Sequence, residues 1–204
     1  MARGRNNNNY RRPDHYSQKA KAEGYAARSV YKLQEIQERT RILKPGQHVV
    51  DLGCFPGSWS KYALQQIGRK GRIVGVDLNE PELPGVWIVR SVFDVTTEEL
   101  IEALDGQADV VLSDMAQKTM GTRMGDHYQQ IELARFAMNL ASQILKPGGS
   151  FVCKIFEGPD AQPLQQEARL LFKRVKRMRP DAVRKESREW FLVAQDFKGL
   201  KKSD

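Results

Sequence analysis

Hydrophobic and polar positions along the chain alternate between two registers. Short apolar runs occur at VVDL (49–52), RIVGVDL (72–78), VWIV (86–89), ADVVLSD (108–114) and SFVCKIF (150–156), bounded by glycine, proline or polar residues. Runs of that length predict strands, several of them covered on both faces. The stretches between them read as helices, at 28–40, 58–66, 96–104, 125–145 and about 160–173. In 125–145, Ile131, Ala134, Ala137, Met138 and Ala141 recur at helical spacing. Strands alternating with helices predict an α/β architecture, an open and mostly parallel sheet with helices on both faces. Two more strands, RVKRMR (174–179) and EWFLVAQDF (189–197), close the chain. The short polar link between them has no room for a crossover helix, so they are expected to be antiparallel. The expected sheet therefore has seven strands, one of them reversed. LKPG, at 43–46 and again at 145–148, is punctuation: Pro and Gly stop a helix and Lys sits near its negative end.

The first twenty-five residues are polar, basic and Asn-rich. They are expected to be a mobile arm, leaving residues 26–204 as a single domain. No run approaches the roughly eighteen apolar residues of a membrane span, and the N-terminus lacks an apolar signal segment. Two cysteines, Cys54 and Cys153, make neither a disulfide framework nor a zinc site, which suits a reducing cytoplasm. The net charge of +8 is unevenly spread. Residues 1–32 carry eight Lys/Arg against two Asp/Glu, residues 173–188 carry the same counts, and the remainder is mildly acidic. Two such patches suit a polyanion with regularly spaced phosphates.

VVDLGCFPGSW (49–59) joins a strand to a helix. Gly53 and Gly57 let the backbone turn tightly and approach a ligand closely. Asp77 ends the next strand, where a carboxylate can hold the two hydroxyls of a ribose. The loop lacks the G-x-G-x-x-G spacing of a dinucleotide site. Farther on, Lys154 stands inside an apolar strand, where burying an ammonium is costly.

DLGCFPGSW, together with SDMA (113–116), GGSFVCKIFEG (148–158) and SREWF (187–191), resembles the FtsJ/RrmJ (RlmE-type) family of ribosomal RNA large-subunit ribose 2′-O-methyltransferases. The resemblance covers roughly residues 20–198 and implies a Rossmann-like methyltransferase fold. It implies S-adenosyl-L-methionine as cofactor, no metal, and a uridine ribose of 23S ribosomal RNA in the large subunit as substrate. It further implies that Gly53, Gly57 and Trp59 serve the loop that contacts the methionine portion, that Asp77 holds the ribose, and that Asp114 lies beside the methyl donor. Lys32, Asp114, Lys154 and Glu189 match the family's catalytic set. Two positions depart from the pattern: Ser58 replaces a second glycine, and Val92 stands where similar proteins carry an acid near the adenine, a role Asp94 can take after a local shift. A cytoplasmic monomer is expected.

These residues suit the reaction. A free 2′-hydroxyl is a poor nucleophile, so a nearby base helps. Burial, a second cation at Lys32 and the cofactor's positive sulfur each favour a neutral amine at Lys154 that can take the hydroxyl proton. In the alternative, attraction to Asp114 and Glu189 keeps Lys154 charged, and it only positions the oxygen. The basic arm and residues 173–188 would hold phosphates, with Tyr10, Tyr16 and Tyr25 available to stack on bases. Competing readings are a 2′-O-methyltransferase of tRNA or an mRNA cap, a base N-methyltransferase, and a C5-pyrimidine enzyme needing a nucleophilic cysteine. A non-catalytic ribosome-assembly factor belongs to a different class.

Overall fold

A computed structural model describes residues 14–116 and 121–200. The chain order is α1 (His15–Ala22), α2 (Val30–Thr40), β1 (His48–Leu52), α3 (Ser58–Ile67), β2 (Arg72–Asp77), β3 (Val86–Val89), α4 (Thr97–Leu104) and β4 (Ala108–Ser113). It continues with α5 (Arg123–Ile144), β5 (Leu145–Phe156), α6 (Ala161–Leu171), β6 (Phe172–Met178) and β7 (Glu189–Phe197). The strands form one sheet in the order β3-β2-β1-β4-β5-β7-β6. Strands β1 to β5 pair in parallel, whereas β7 runs antiparallel to both β5 and β6. The expected seven-stranded sheet with one reversed strand is therefore present. Its reversed strand is slotted between β5 and β6.

Each helix is built by its apolar face and its ends. Val30, Tyr31, Leu33 and Ile36 form the buried side of α2, which stops at Arg41 in the left-handed region. The Thr96 side chain accepts the Glu99 amide to start α4, and the Thr122 side chain accepts the Gly125 amide to start α5, each satisfying an end donor the helix cannot. One core lies under α4, α5 and α6 and includes Phe151, Cys153 and Ile155. The other lies under α2 and α3 and includes Val152, Trp59 and Phe191. Alternation along β5 thus sends Cys153 to one face and Lys154 to the other.

Three local features differ from the sequence reading. Residues 14–25, assigned to the mobile arm, carry α1, with Asp14 capping it and Ala20 buried. Their apolar content is too small to read as a helix; the segment is held by aromatic and charged contacts, Tyr16 against Tyr31 at 5.4 Å and Arg28 against Asp14. Residues 1–13, including Tyr10, lie outside the described residues. Tyr25 bonds Gln65 at 2.8 Å with Lys61 over its ring at 5.2 Å, so both described tyrosines of the proposed base-stacking set are engaged locally. In the second LKPG, Lys146 binds both carboxylate oxygens of Asp109 at 3.2 Å, and Asp109 also accepts the His48 amide.

Candidate active site

Chain order runs outward in opposite directions from β1 and β4, so a crevice opens at the carboxyl ends of these strands. The β1–α3 loop enters it through Gly53 and Gly57, at φ +77° and +101°. The Gly53 amide donates to Val76 O at 2.8 Å. A Cβ on Gly53 would stand 2.6 Å from Met115 Cγ, and one on Gly57 2.7 Å from Leu83 Cδ1. Both turns therefore require glycine.

A cavity of about 570 Å³ opens beside this loop. Gly53, Asp77 and Asp114 line it with Val92, Phe93 and Met115. Its size lies within the range of small-molecule sites. Asp77 closes β2 and accepts the Phe55 amide at 3.1 Å and the Asn79 amide at 3.2 Å, which fixes its carboxylate at the mouth. Phe93 is 53% exposed and packs edge-on against Phe136 at 4.7 Å. Sequence reasoning missed Phe93, an apolar residue left in water beside a loop; a large exposed ring just past a strand is the signal that could have found it.

The other sequence-predicted cofactor residues are placed differently. Gly57 lines a second cavity, of about 610 Å³, on the far side of the loop with Phe55, Lys61 and Leu83. Trp59 is buried, its indole N–H donating to Ser29 O at 2.8 Å and its ring 5.6 Å from Phe191. Asp94 ends a short 3-10 turn, exposed, and does not line the first cavity, whereas Val92 and Phe93 do.

The four polar residues singled out from the sequence form two ion pairs. Lys154 lies opposite Phe191 in the β5–β7 ladder, and Glu189 lies two residues from Phe191 on the same face. Helix α2 crosses that face and brings Lys32 into an ion pair with Glu189, its ammonium 5.8 Å from the Phe191 ring. From the end of β4, Asp114 reaches Lys154: the ammonium donates to Asp114 O at 2.6 Å and lies 3.1 Å from Oδ1. Side-chain exposures are 8% for Lys154, 13% for Lys32, 14% for Glu189 and 16% for Asp114. Charges so withdrawn from water are weakly screened. Asp114 Oδ1 is buried, and the Lys154 ammonium is its charge partner, so the carboxylate is committed to this pair at the edge of the cavity.

Below the loop, Asp51 is fully buried in β1. Its Oδ2 accepts the Ser60 hydroxyl at 2.5 Å, while Oδ1 has no partner. Desolvation pushes its pKa up to about 7, helped by the charges of Asp114 and Asp77 and opposed by the Ser60 bond. Burial pushes the Cys54 thiol up, as do the nearby Asp51 and Asp77 charges, and burial does the same to Cys153. Neither sulfur offers the thiolate that a cysteine nucleophile needs.

The described part of the first basic segment, residues 14–32, and the second, remote in sequence, meet in space. Arg28 donates to Ala182 O, and Glu35 on α2 accepts the Asp181 and Ala182 amides at 2.7 and 2.9 Å. Arg184 approaches Asp14 at 3.5 Å. Arg179 ties the following loop together, donating to Glu189 O at 3.1 Å and Ser187 O at 2.6 Å.

A model of the FtsJ-like methyltransferase family matches residues 25–197. The chain belongs to the FtsJ-like methyltransferase family. Among relatives, it is 45% identical over 185 residues to the ribosomal RNA large subunit methyltransferase E of Desulfosudis oleivorans, covering 89% of each chain. It is 47% identical over 186 residues to the protein of the same name from Syntrophobacter fumaroxidans, covering 88% of this chain and 93% of that one. A solved structure described as a ribosomal RNA methyltransferase from Plasmodium falciparum superposes with a TM-score of 0.75 at 27% identity, covering 86% of this chain and all of that one. The FtsJ-like match spans both ion pairs and the β1–α3 loop, and among the described residues no helix is long and apolar enough to cross a membrane.

Proposed function

We propose that the chain transfers a methyl group from S-adenosyl-L-methionine to the ribose 2′-hydroxyl of a uridine in 23S ribosomal RNA of the large subunit, with Lys154 as proton acceptor. The observation that carries this reading is the convergence of Lys154–Asp114 and Lys32–Glu189 beside the loop cavity of an FtsJ-like methyltransferase. The relatives named for large-subunit ribosomal RNA supply the substrate class.

The cavity residues fit the cofactor. Asp77 has the carboxylate to hold ribose hydroxyls, Val92 and Phe93 offer an apolar wall for a planar base, and the glycine cradle at Gly53 admits a close backbone approach. Asp114 supplies negative charge at the cavity wall, next to the reacting end. When bound, the cofactor supplies the methyl carbon, whose bond to sulfur breaks as the substrate oxygen bonds to it. As the neutral amine, Lys154 Nζ accepts the hydroxyl proton through its lone pair, and Asp114, which holds this nitrogen, stabilises the ammonium that forms. Lys32, anchored by Glu189, stands on the same face to hold the substrate ribose or an adjacent phosphate. Aligning bound reactants in this way lowers a barrier by several kcal/mol, roughly 7 to 11 at best. The joined basic segments provide the phosphate contacts that hold RNA against this face without reading its sequence.

The Lys154→Met variant tests the reading. It is expected to bind S-adenosyl-L-methionine within about twofold of wild type by calorimetry and to lose methyl transfer by at least a hundredfold, the scale of general-base catalysis. Robust turnover by Lys154→Met would remove this residue from the chemistry.

A further inference from the structure

Two buried polar side chains on α5, His127 and Gln130, belong to neither ion pair and to neither cavity. They are 2% and 3% exposed, one helical turn apart. What they touch follows from an unequal pair of strands. Strand β4 ends at Ser113, which pairs with Cys153. Beyond that point β5 has no strand on this side, yet it continues through Lys154 to Phe156. Buried carbonyls there need donors from elsewhere. Helix α5 provides them: Gln130 Nε2 donates to Lys154 O at 2.9 Å, and His127 Nδ1 lies 3.2 Å from Phe156 O. The same His127 ring accepts the Asp160 amide at Nε2, at 3.2 Å. Gly158 leaves room for it, since a Cβ there would stand 2.4 Å from the ring.

Gln130 does more than complete the ladder. Its second amide hydrogen goes to Met115 O at 3.2 Å. Met115 follows Asp114, and Lys154 is the partner of Asp114. One amide group thus bridges the backbones of the two segments whose side chains make the reacting pair. The Lys154 ammonium closes the ring by donating to Asp114 O at 2.6 Å. An amide NH2 has two donors, and both are used.

We infer that Gln130 is a positioning residue for methyl transfer: its amide sets the separation between the Lys154 strand and the Asp114 segment. The inference rests on the reading of Lys154 given above. A misplacement of about 1 Å in a reacting group costs on the order of a hundredfold in rate. Losing the bridge therefore acts mainly on the chemical step: Gln130 does not itself line the cofactor cavity and reaches it only through Met115 and Asp114.

The test uses the full chain carrying Gln130→Met, which keeps the length and removes both donors, and Gln130→Asn, which keeps an amide one methylene too short for the bridge. Ser142→Ala serves as control: Ser142 is another buried polar residue of α5, bonded only to Asn139 O. Thermal midpoint, calorimetric affinity for S-adenosyl-L-methionine, and single-turnover rate against pH at saturating ribosomal RNA are measured for each. For the Gln130 variants, cofactor affinity is expected to fall by much less than the rate, since the cavity is touched only through Met115. The rate is expected to fall ten- to a hundredfold, the scale of such a misplacement, and its pH profile to differ from that of wild type. Ser142→Ala is expected to keep the wild-type rate and profile. A folded Gln130→Met with wild-type rate and profile overturns the inference. So does failure of both Gln130 variants to fold, which assigns the amide to stability alone. Lys154→Met separates the two readings. An active Lys154→Met removes the reaction scheme itself, whereas an inactive Lys154→Met beside a fully active Gln130→Met removes only the positioning role.

Discussion

Asp51 is a fully buried carboxyl group, with one oxygen bonded to Ser60 and the other without a hydrogen-bond partner among the described residues. Its folded-state pKa of about 7 stands well above the usual carboxylate value of roughly 4 in an unfolded chain. Between those two values the folded chain retains a proton that the unfolded chain has released. Stability from this group therefore falls as pH rises through that window, and the loss is complete above it. Asp51→Asn carries no such titration. Urea unfolding is expected to find the variant gaining stability relative to wild type between pH 5 and pH 8. A wild-type-to-variant difference independent of pH would show that Asp51 is ionised in the folded protein. None of this was visible in VVDL, where the acid reads as one polar residue in an apolar run; only the packing of Ser60 beneath the loop exposes it.

At the level of elements, the β1–α3 loop carries the site through backbone shape. Gly53 is left-handed and pressed against Met115, so Gly53→Ala meets both a strained φ and a side chain with nowhere to go. The variant is expected to lose about 1–2 kcal/mol of stability and, by calorimetry, most of its affinity for S-adenosyl-L-methionine. Wild-type affinity in Gly53→Ala would mean that the cradle is not where the cofactor sits. Element order was legible because every strand but the basic β6 is a bounded apolar run, and the antiparallel ending followed from a link too short for a helix. The slot of β7 between β5 and β6 was not, because pairing partners depend on which edges remain open once the rest is assembled. Helix α1 was hidden for a related reason: its support comes from outside the helix, from Arg28 and Tyr31 just beyond it and from Ala182, distant in sequence. Lys154 stood out as an ammonium in an apolar strand, Lys32, Asp114 and Glu189 came from the resemblance, and sheet alternation explains why Lys154 and Glu189 share a face. Phe93 and Gln130 were missed because neither residue type is unusual where it stands; only the strand ends around them give them work.

For the molecule as a whole, the basic segments that stand apart in the sequence join through Arg28, Ala182, Arg184 and Asp14. A joined cationic face beside the Lys32–Glu189 pair is where an RNA backbone gains most from counterion release. Each phosphate neutralised on a single strand contributes a slope of about 0.7 in log affinity against log salt. Replacing Arg184 and Lys185 by alanine is expected to weaken RNA binding and to lower that slope by roughly 1.4, with cofactor affinity unchanged. An unaltered slope would place the phosphates elsewhere on the protein.

The most direct measurement of the central claim follows the methyl group itself. Large ribosomal subunits lacking this modification are incubated with the protein and S-adenosyl-L-methionine labelled on the methyl, and the RNA is digested to nucleosides. The account expects label on the 2′-oxygen of a uridine, absent with Lys154→Met; label on a base, or on the ribose with Lys154→Met as active as wild type, would contradict it.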